Sequence, residues 1–148
     1  MDNHEFYVPA HMAKTLAEAG FNWGCRRFCT FRNDTLVEVK DYQNALGEYV
    51  TNDDLKGYDT YYETNYAVPT VQMALQWLAE AFGIFIKIGC DTDESHTFYF
   101  SLYKKGDVCW GEIFPPAVDT YVGFSSIEKC AIAAIAYVFK NVIADDKR

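Results

Sequence analysis

Residues 125–143 constrain the fold more than any other segment, because they read as a helix with almost no polar face. Ser125 and Glu128 have the spacing of a capping box, in which each side chain satisfies a backbone N–H at the start of a helix. The residues that follow are apolar in nearly every direction around the axis, and such helices are typically buried. We therefore expect this helix to be covered on every side at the centre of a layered domain. The alternative is a helix packed on a sheet, with its second face against another subunit.

The pattern of the C-terminal half predicts an α-β-β-β-α domain over residues 65–148. A helix begins near Pro69 and ends at Gly83,. Three alternating segments separated by turn residues then read as strands, over residues 84–88, 97–103 and 108–113,. An antiparallel meander with one apolar face, covered by two helices, satisfies this pattern.

The N-terminal half, residues 1–64, reads as a smaller α-β-β module. A helix begins at Val8 and Pro9, and a hairpin follows with its turn at residues 32–35,. Residues 41–66 read as an acidic, tyrosine-rich connector between the two halves. The whole chain is therefore predicted to be an α+β protein built as a two-layer sandwich.

The charge of the chain disfavours direct binding to nucleic acid. The formal net charge is −8 over 148 residues, which repels phosphate at long range,. The order α-β-β-β-α is also that of the double-stranded RNA-binding domain, but such domains contact phosphates through a lysine-rich start of the last helix. Here that start contains Lys129 as its only cation. An acidic chain is better suited to cationic partners.

The sequence predicts a cytoplasmic protein that does not enter a membrane. Its longest apolar run, residues 130–139, is far shorter than the ~20 residues that span a bilayer,. Residues 1–5 are polar and acidic, whereas a secretory signal begins with basic residues and continues with apolar ones,.

The cysteines give no strong indication of a metal site or of catalysis. Five cysteines without an export signal are typical of reduced thiols,. Cys25 and Cys29 could bind a metal together with His4 and His11, but two thiols on a strand are more often packing residues. The weaker catalytic candidate is Cys109 with His96 and Asp107, which has no oxyanion-binding glycine beside it,. We therefore expect no cofactor and assign no catalytic residue.

Short motifs occur along most of the chain. In the C-terminal half they are residues 66–70, 76–78 with Glu80, 84–88, 98–102 and 124–126 leading into 131–134. At the opening of the chain they are residues 7–13 with Leu16, 20–21 and Cys25. With these motifs the chain resembles a group of small, uncharacterised proteins found in gut-bacterial phages, prophages and mobile elements. The resemblance implies a mobile-element context, and it implies no activity and no catalytic residue.

These observations favour a non-enzymatic protein that acts through protein-protein contacts, although an enzymatic activity stays open. Tyrosines supply rigid contact area and carboxylates can pair with a partner's lysines or arginines. The alternative is that residues 41–66 have no binding role and form a hydrated connector whose tyrosines lie flat on the domain. A homodimer could form through the last helix or the stripe around Trp77. The candidate partner-binding residues are Asp53, Asp54, Tyr58, Asp59, Tyr61, Tyr62, Trp77 and Ile135.

Two other functions are compatible with the sequence. The first is an acidic nucleic-acid mimic that inhibits a host DNA-handling or defence enzyme, which requires its carboxylates to lie along one ridge. Its candidates are Asp41, Glu48, Asp53, Asp54, Asp59 and Glu63. The second is a small-ligand binder or enzyme with an apolar cleft between the two halves, lined by Trp23, Trp110 and tyrosines.

Overall fold

The computed structural model describes residues 6–42, 49–90, 97–106, 110–113 and 123–143. The chain divides into two compact units, Met1–Gln72 and Met73–Arg148. Each unit contains helices and a three-stranded antiparallel sheet, which confirms the predicted α+β class. Within the described ranges, no helix is both long enough and apolar enough to cross a bilayer.

The first unit has the element order α-β-β-α-β, and its sheet has the strand order β2-β1-β3. Both neighbours of the central strand are antiparallel to it. The elements are α1 (Ala10–Glu18), β1 (Arg27–Arg32), β2 (Thr35–Asp41), α2 (Asn52–Lys56) and β3 (Glu63–Val68).

Local sequence explains where α1 ends and how the hairpin turns. After α1, the N–H of Gly20 donates to the carbonyl of Ala17, and the N–H of Phe21 donates to that of Leu16. In this arrangement Gly20 has a φ of 106°, a backbone conformation that glycine adopts without strain because it has no Cβ atom,. In the β1–β2 hairpin, Asn33 and Asp34 adopt positive φ values of 50° and 65°, as a two-residue hairpin turn requires,.

The core of the first unit lies between α1 and the sheet. Ala13 and Leu16 on α1 are buried, as are Cys29 and Phe31 on β1. The contacts of α1 with the sheet are mainly with β3. All residues of β2 are exposed.

The segment predicted as a connector, residues 41–66, contains two regular elements that the sequence did not predict. A helix, α2, lies in its middle, and β3 pairs with β1 over its full length. The strand β3 completes the first sheet, and the first compact unit extends to Gln72. The acidic and aromatic residues in this segment are therefore held by a helix and a strand.

The second unit contains the predicted order α-β-β-β-α. Its elements are α3 (Val71–Phe82), which begins at the end of the first unit, β4 (Ile84–Cys90), β5 (Phe98–Lys105), β6 (Trp110–Ile113) and α4 (Ile127–Tyr137). The strands form an antiparallel meander in the order β4-β5-β6. Gly83 separates α3 from β4 with a φ of 65°, and its carbonyl accepts from the N–H of Lys105 at 2.7 Å.

The two faces of the second sheet differ in burial. Ile84, Ile86, Phe100 and Leu102 form a buried face, and α4 packs against β4 and β5. On the opposite face the Tyr99 ring covers Gly89 so closely that any Cβ at this glycine would collide with it. Because Gly89 has no side chain, the Tyr99 ring can lie over it. Aromatic residues commonly cover strand glycines in this way.

The last helix begins one residue later than the sequence predicted and is only partly covered. The Ser126 hydroxyl, not that of Ser125, accepts from the N–H of Lys129 at 3.1 Å, so the proposed Ser125–Glu128 capping pair is wrong. The helix then continues into a π-helical segment, Val138–Ile143.

Burial along this helix follows one stripe. Its members are Cys130, Ala131, Ala134, Ile135 and Val138, whereas Ile127 and Ala136 are exposed. The expectation of a helix covered on every side is therefore wrong, because only the face that meets β4 and β5 is fully buried. The contact of its second face with another subunit stays a prediction.

Candidate protein-binding surface

The short helix α2 is fixed at its start by its own sequence. The Thr51 hydroxyl accepts from the N–H of Asp54 at 3.1 Å, and the Asp54 carboxylate accepts from the N–H of Thr51 at 3.2 Å. This reciprocal capping box satisfies two backbone donors that a helix otherwise leaves open,. Asp54, a predicted partner-binding residue, therefore has a structural role in addition to its exposed position.

Asn52 attaches α2 to the rest of the first unit. Its side-chain amide donates to the carbonyl of Phe21 at 2.7 Å and accepts from the N–H of Ala67 at 2.8 Å. All three residues are buried. The Asn52 side chain thus connects α2 to Phe21, just after α1, and to Ala67 on β3. The position of α2 depends on these two bonds.

A second, exposed contact supports the same helix. The side-chain N–H of Asn22 donates to the Asp53 carboxylate at 3.0 Å, and the backbone N–H of Asp53 donates to the side-chain Oδ1 of Asn22 at 2.9 Å. The ammonium of Lys56 lies 3.5 Å from the Asp53 carboxylate. Asp53 is thus oriented by two neighbours while its side chain stays largely in solvent.

An open cleft of about 480 Å³ lies beside α2 within the first unit. Its polar lining includes Glu18, Asn22, Asp53, Lys56, Asp59 and Asn65. Several of these groups bond to one another: the Asp59 carboxylate accepts from both the backbone and the side-chain N–H of Asn65. In the described part of the chain, no buried side-chain polar atom lacks a partner. Two carboxylates of the cleft wall, those of Asp53 and Asp59, are therefore already hydrogen-bonded to neighbouring asparagines.

The tyrosine loop, residues 57–62, joins α2 to β3 and presents three aromatic rings to solvent. Tyr58, Tyr61 and Tyr62 are 67%, 93% and 63% exposed. The rings of Tyr61 and Tyr62 meet edge to face with centroids 4.9 Å apart, a favourable geometry for aromatic pairs. The expectation that these rings lie flat on the domain surface does not describe them.

Hydrogen bonds hold the tyrosine loop in shape. The N–H of Thr60 donates to the carbonyl of Glu63, and the Thr60 hydroxyl accepts from the N–H of Glu63 at 3.1 Å. Asp59 is bonded to Asn65 on β3. The loop therefore presents its tyrosines from an anchored backbone.

Several carboxylates of residues 41–66 are paired with cations. Asp41 contacts Arg27 at 3.1 Å, and Glu63 contacts Arg32 at 2.9 Å. Together with the Asp53–Lys56 pair, these contacts reduce the negative field along the segment. Glu48 lies outside the described residues.

Two predicted partner-binding residues are not at a surface. Trp77 on α3 is buried and meets the Phe82 ring at 5.4 Å between centroids. Ile135 lies in the fully buried stripe of α4. Because a buried side chain cannot contact a partner, both residues have core roles. The other six predicted partner-binding residues lie on the exposed segment around α2.

The thiols for which a metal site was considered are packed in the interior. Cys25 and Cys29 are buried, and burial raises the pKa of Cys25 to about 12 and that of Cys29 to about 11. Burial likewise raises the pKa of Cys130 to about 11. Within the described ranges no group of three His, Cys, Asp or Glu side chains has the geometry to hold a metal ion. His4 and the proposed set of Cys109, His96 and Asp107 lie outside those ranges.

Sequence reasoning missed Asn52, which organises this surface. The usable signal was the run from Thr51 to Asp54, because a threonine followed three residues later by an acid is a helix-start pattern,. The high density of acids and tyrosines around it instead favoured a connector. Nothing in the local sequence indicates that the Asn52 amide reaches the backbone of Phe21 and Ala67.

Comparisons of the chain with protein-family models, with curated proteins and with solved structures gave no match.

Proposed function

We propose that this chain is a non-enzymatic protein-binding module that uses the tyrosine loop and the adjoining face of α2 to hold a partner with lysine or arginine side chains. The observation that carries this proposal is the exposure of Tyr58, Tyr61 and Tyr62 on an anchored loop. We further propose that it acts in the cytoplasm as an accessory protein of the phage or mobile-element kind that its sequence resembles.

The tyrosines supply the contact area for such a partner. Tyrosine has few rotatable bonds and both an apolar ring and a polar hydroxyl, so ordering it at an interface costs little entropy. The edge-to-face contact between Tyr61 and Tyr62 reduces that cost further, because it already restricts both rings in the free protein,. Exposed aromatic patches on an ordered framework are typical of interaction sites.

The adjoining charges indicate which partner fits. Asp53 and Asp54 lie in the first turn of α2, the helix that leads into the loop, and both are exposed. A cationic side chain of a partner can approach their carboxylates and the faces of the tyrosine rings, since both attract cations. The preference for a basic protein surface follows from this combination.

The contacts of the carboxylates support protein binding over nucleic-acid mimicry. A mimic needs free carboxylates along one ridge, whereas Asp41 and Glu63 are each paired with an arginine. Asp59 is also engaged, because it accepts two hydrogen bonds from Asn65.

A photo-crosslinking experiment tests the proposal directly. A photoreactive phenylalanine analogue replaces Tyr61, and the protein is irradiated in host lysate before crosslinked proteins are identified. We expect one defined adduct, and we expect substitution of Tyr58 and Tyr62 by serine to abolish it. The same analogue at Lys87, an exposed position on β4 of the other unit, is the matched control and should not give that adduct.

The contribution of charge has its own isosteric test. Asp53→Asn and Asp54→Asn keep an oxygen that can accept the hydrogen bonds in which each carboxylate takes part, so the fold of α2 should be retained. We expect the double variant to lose most of the adduct at low salt. Adducts that are equally strong at Tyr61 and Lys87, or that persist in the tyrosine variant, would refute the proposed site.

A further inference from the structure

The edge strand β2 is exposed on both faces of the first sheet. It pairs with β1 on one side, and in the described part of the chain no strand pairs with its other side. Leu36, Val37 and Val39 on this strand are 40%, 51% and 43% exposed. Such an edge is a template for the addition of another strand.

The hydrogen bonds to β1 determine which residues of β2 direct their backbone N–H and C=O groups toward the open edge of the sheet. The N–H of Tyr42 donates to the carbonyl of Arg26 at 2.7 Å, and the register continues with Lys40 opposite Phe28 and Glu38 opposite Thr30. Bonding directions alternate along an antiparallel strand. The backbone groups of Lys40 and Glu38 therefore face β1, whereas those of Val39 and Asp41 face the open edge.

The charges of β2 favour pairing with an antiparallel copy of itself. If the two-fold axis passes through Val39, the two Val39 residues exchange both backbone hydrogen bonds, and Glu38 of each copy lies opposite Lys40 of the other. An axis through Glu38 places two glutamates opposite each other, and an axis through Lys40 places two lysines opposite each other. Like charges directly opposite destabilise a strand pair, so of these three registers the Val39-centred one combines hydrogen bonding with charge complementarity.

We propose that two copies of this chain associate through β2 in this Val39-centred antiparallel register, forming a continuous six-stranded sheet. The irregularity in the β1–β2 pairing leaves Val37 without an opposite residue on β1, so regular pairing between the two copies is limited to residues 38–40. A contact this short belongs to the small class of interfaces, so we expect a weak dimer that dissociates on dilution.

Charge reversal followed by sedimentation equilibrium tests this register. Glu38→Lys and Lys40→Glu each place like charges opposite each other at two symmetric positions, and each should weaken the dimer about tenfold. The double variant E38K/K40E recreates both pairs and should restore the wild-type constant. Circular dichroism checks that all four proteins are folded, and a single-charge effect without restoration would overturn the register.

Amide hydrogen exchange gives a second measurement without any mutation. The Lys40 amide, which donates to β1, should be protected at every protein concentration, whereas the Val39 amide should become protected only as the dimer forms. A protein that stays monomeric up to several hundred micromolar refutes the proposal. A dimer with unprotected Val39 amides refutes it equally, since another surface would then hold the copies together.

Discussion

Replacing Asn52 with alanine should destabilise the first unit far more than its single side chain suggests. The substitution removes the hydrogen bonds that the Asn52 amide makes to the buried carbonyl of Phe21 and to the buried N–H of Ala67. The loss of such a bond costs a buried polar group about 1–3 kcal/mol. Because Asn52 borders the cleft, water can reach the site and reduce this loss,. We expect a decrease in the free energy of unfolding of about 3 kcal/mol.

The measurement must report on the first unit alone, because two units need not unfold together. Native-state amide exchange of β1, the central strand of that unit, gives its unfolding free energy directly,. Asn22→Ala is the matched control, since it removes an exposed contact to α2 and should cost about 1 kcal/mol or less,. If Asn52→Ala changes the β1 exchange free energy by no more than Asn22→Ala, then Asn52 does not anchor α2.

A charged substitution at the same position adds a dependence on pH. Asn52→Asp keeps an acceptor for the N–H of Ala67 but, when ionised, offers an oxygen in place of the donor to Phe21. Burial and this repulsion should raise the pKa of the new carboxyl in the folded state. The variant should therefore be most stable at low pH and lose stability as the pH rises above the unfolded pKa of about 4.

Two further predictions concern titratable groups. Because their raised pKa values keep Cys25 and Cys29 protonated, both should resist iodoacetamide at pH 8, whereas the exposed Cys90 should be modified,. Peptide mass spectrometry measures the labelling of each cysteine. Equal labelling of all three would contradict the burial of Cys25 and Cys29. The hydrogen bond from Lys14 at 2.7 Å lowers the pKa of Asp34. This contact stabilises the fold above the ordinary pKa of an aspartate and is lost as pH falls through the lowered value. An NMR titration should show a midpoint below 3.8 that rises in Lys14→Gln.

The elements with strong local signals were predictable because their causes are local. Gly20 and Gly83 mark two helix ends through positive φ, and the turn at Asn33 and Asp34 fits its hairpin. The alternation in residues 84–88 matches β4, since only one face of that strand is buried. In each case the neighbouring residues supply the physical reason.

Elements stabilised by distant partners were not predictable in the same way. The polar and aromatic residues of β3 carry no clear strand pattern, and the strand forms because β1 offers its second edge. The short helix α2 depends on a hydrogen bond to Phe21, which is far away in sequence. Which residues of α4 are buried depends on the strands that the helix contacts. Its apolar sequence alone therefore did not show that one face stays exposed to solvent.

The sequence by itself determined the α+β class, the α-β-β-β-α order of the second unit and the acidic, tyrosine-rich character of residues 41–66, because periodicity, turn residues and charge act locally. Only the tertiary structure decided that Tyr58, Tyr61 and Tyr62 stand in solvent while Trp77 and Ile135 are buried. The exposure of a side chain depends on what packs over it, and residues far apart in the chain supply that cover.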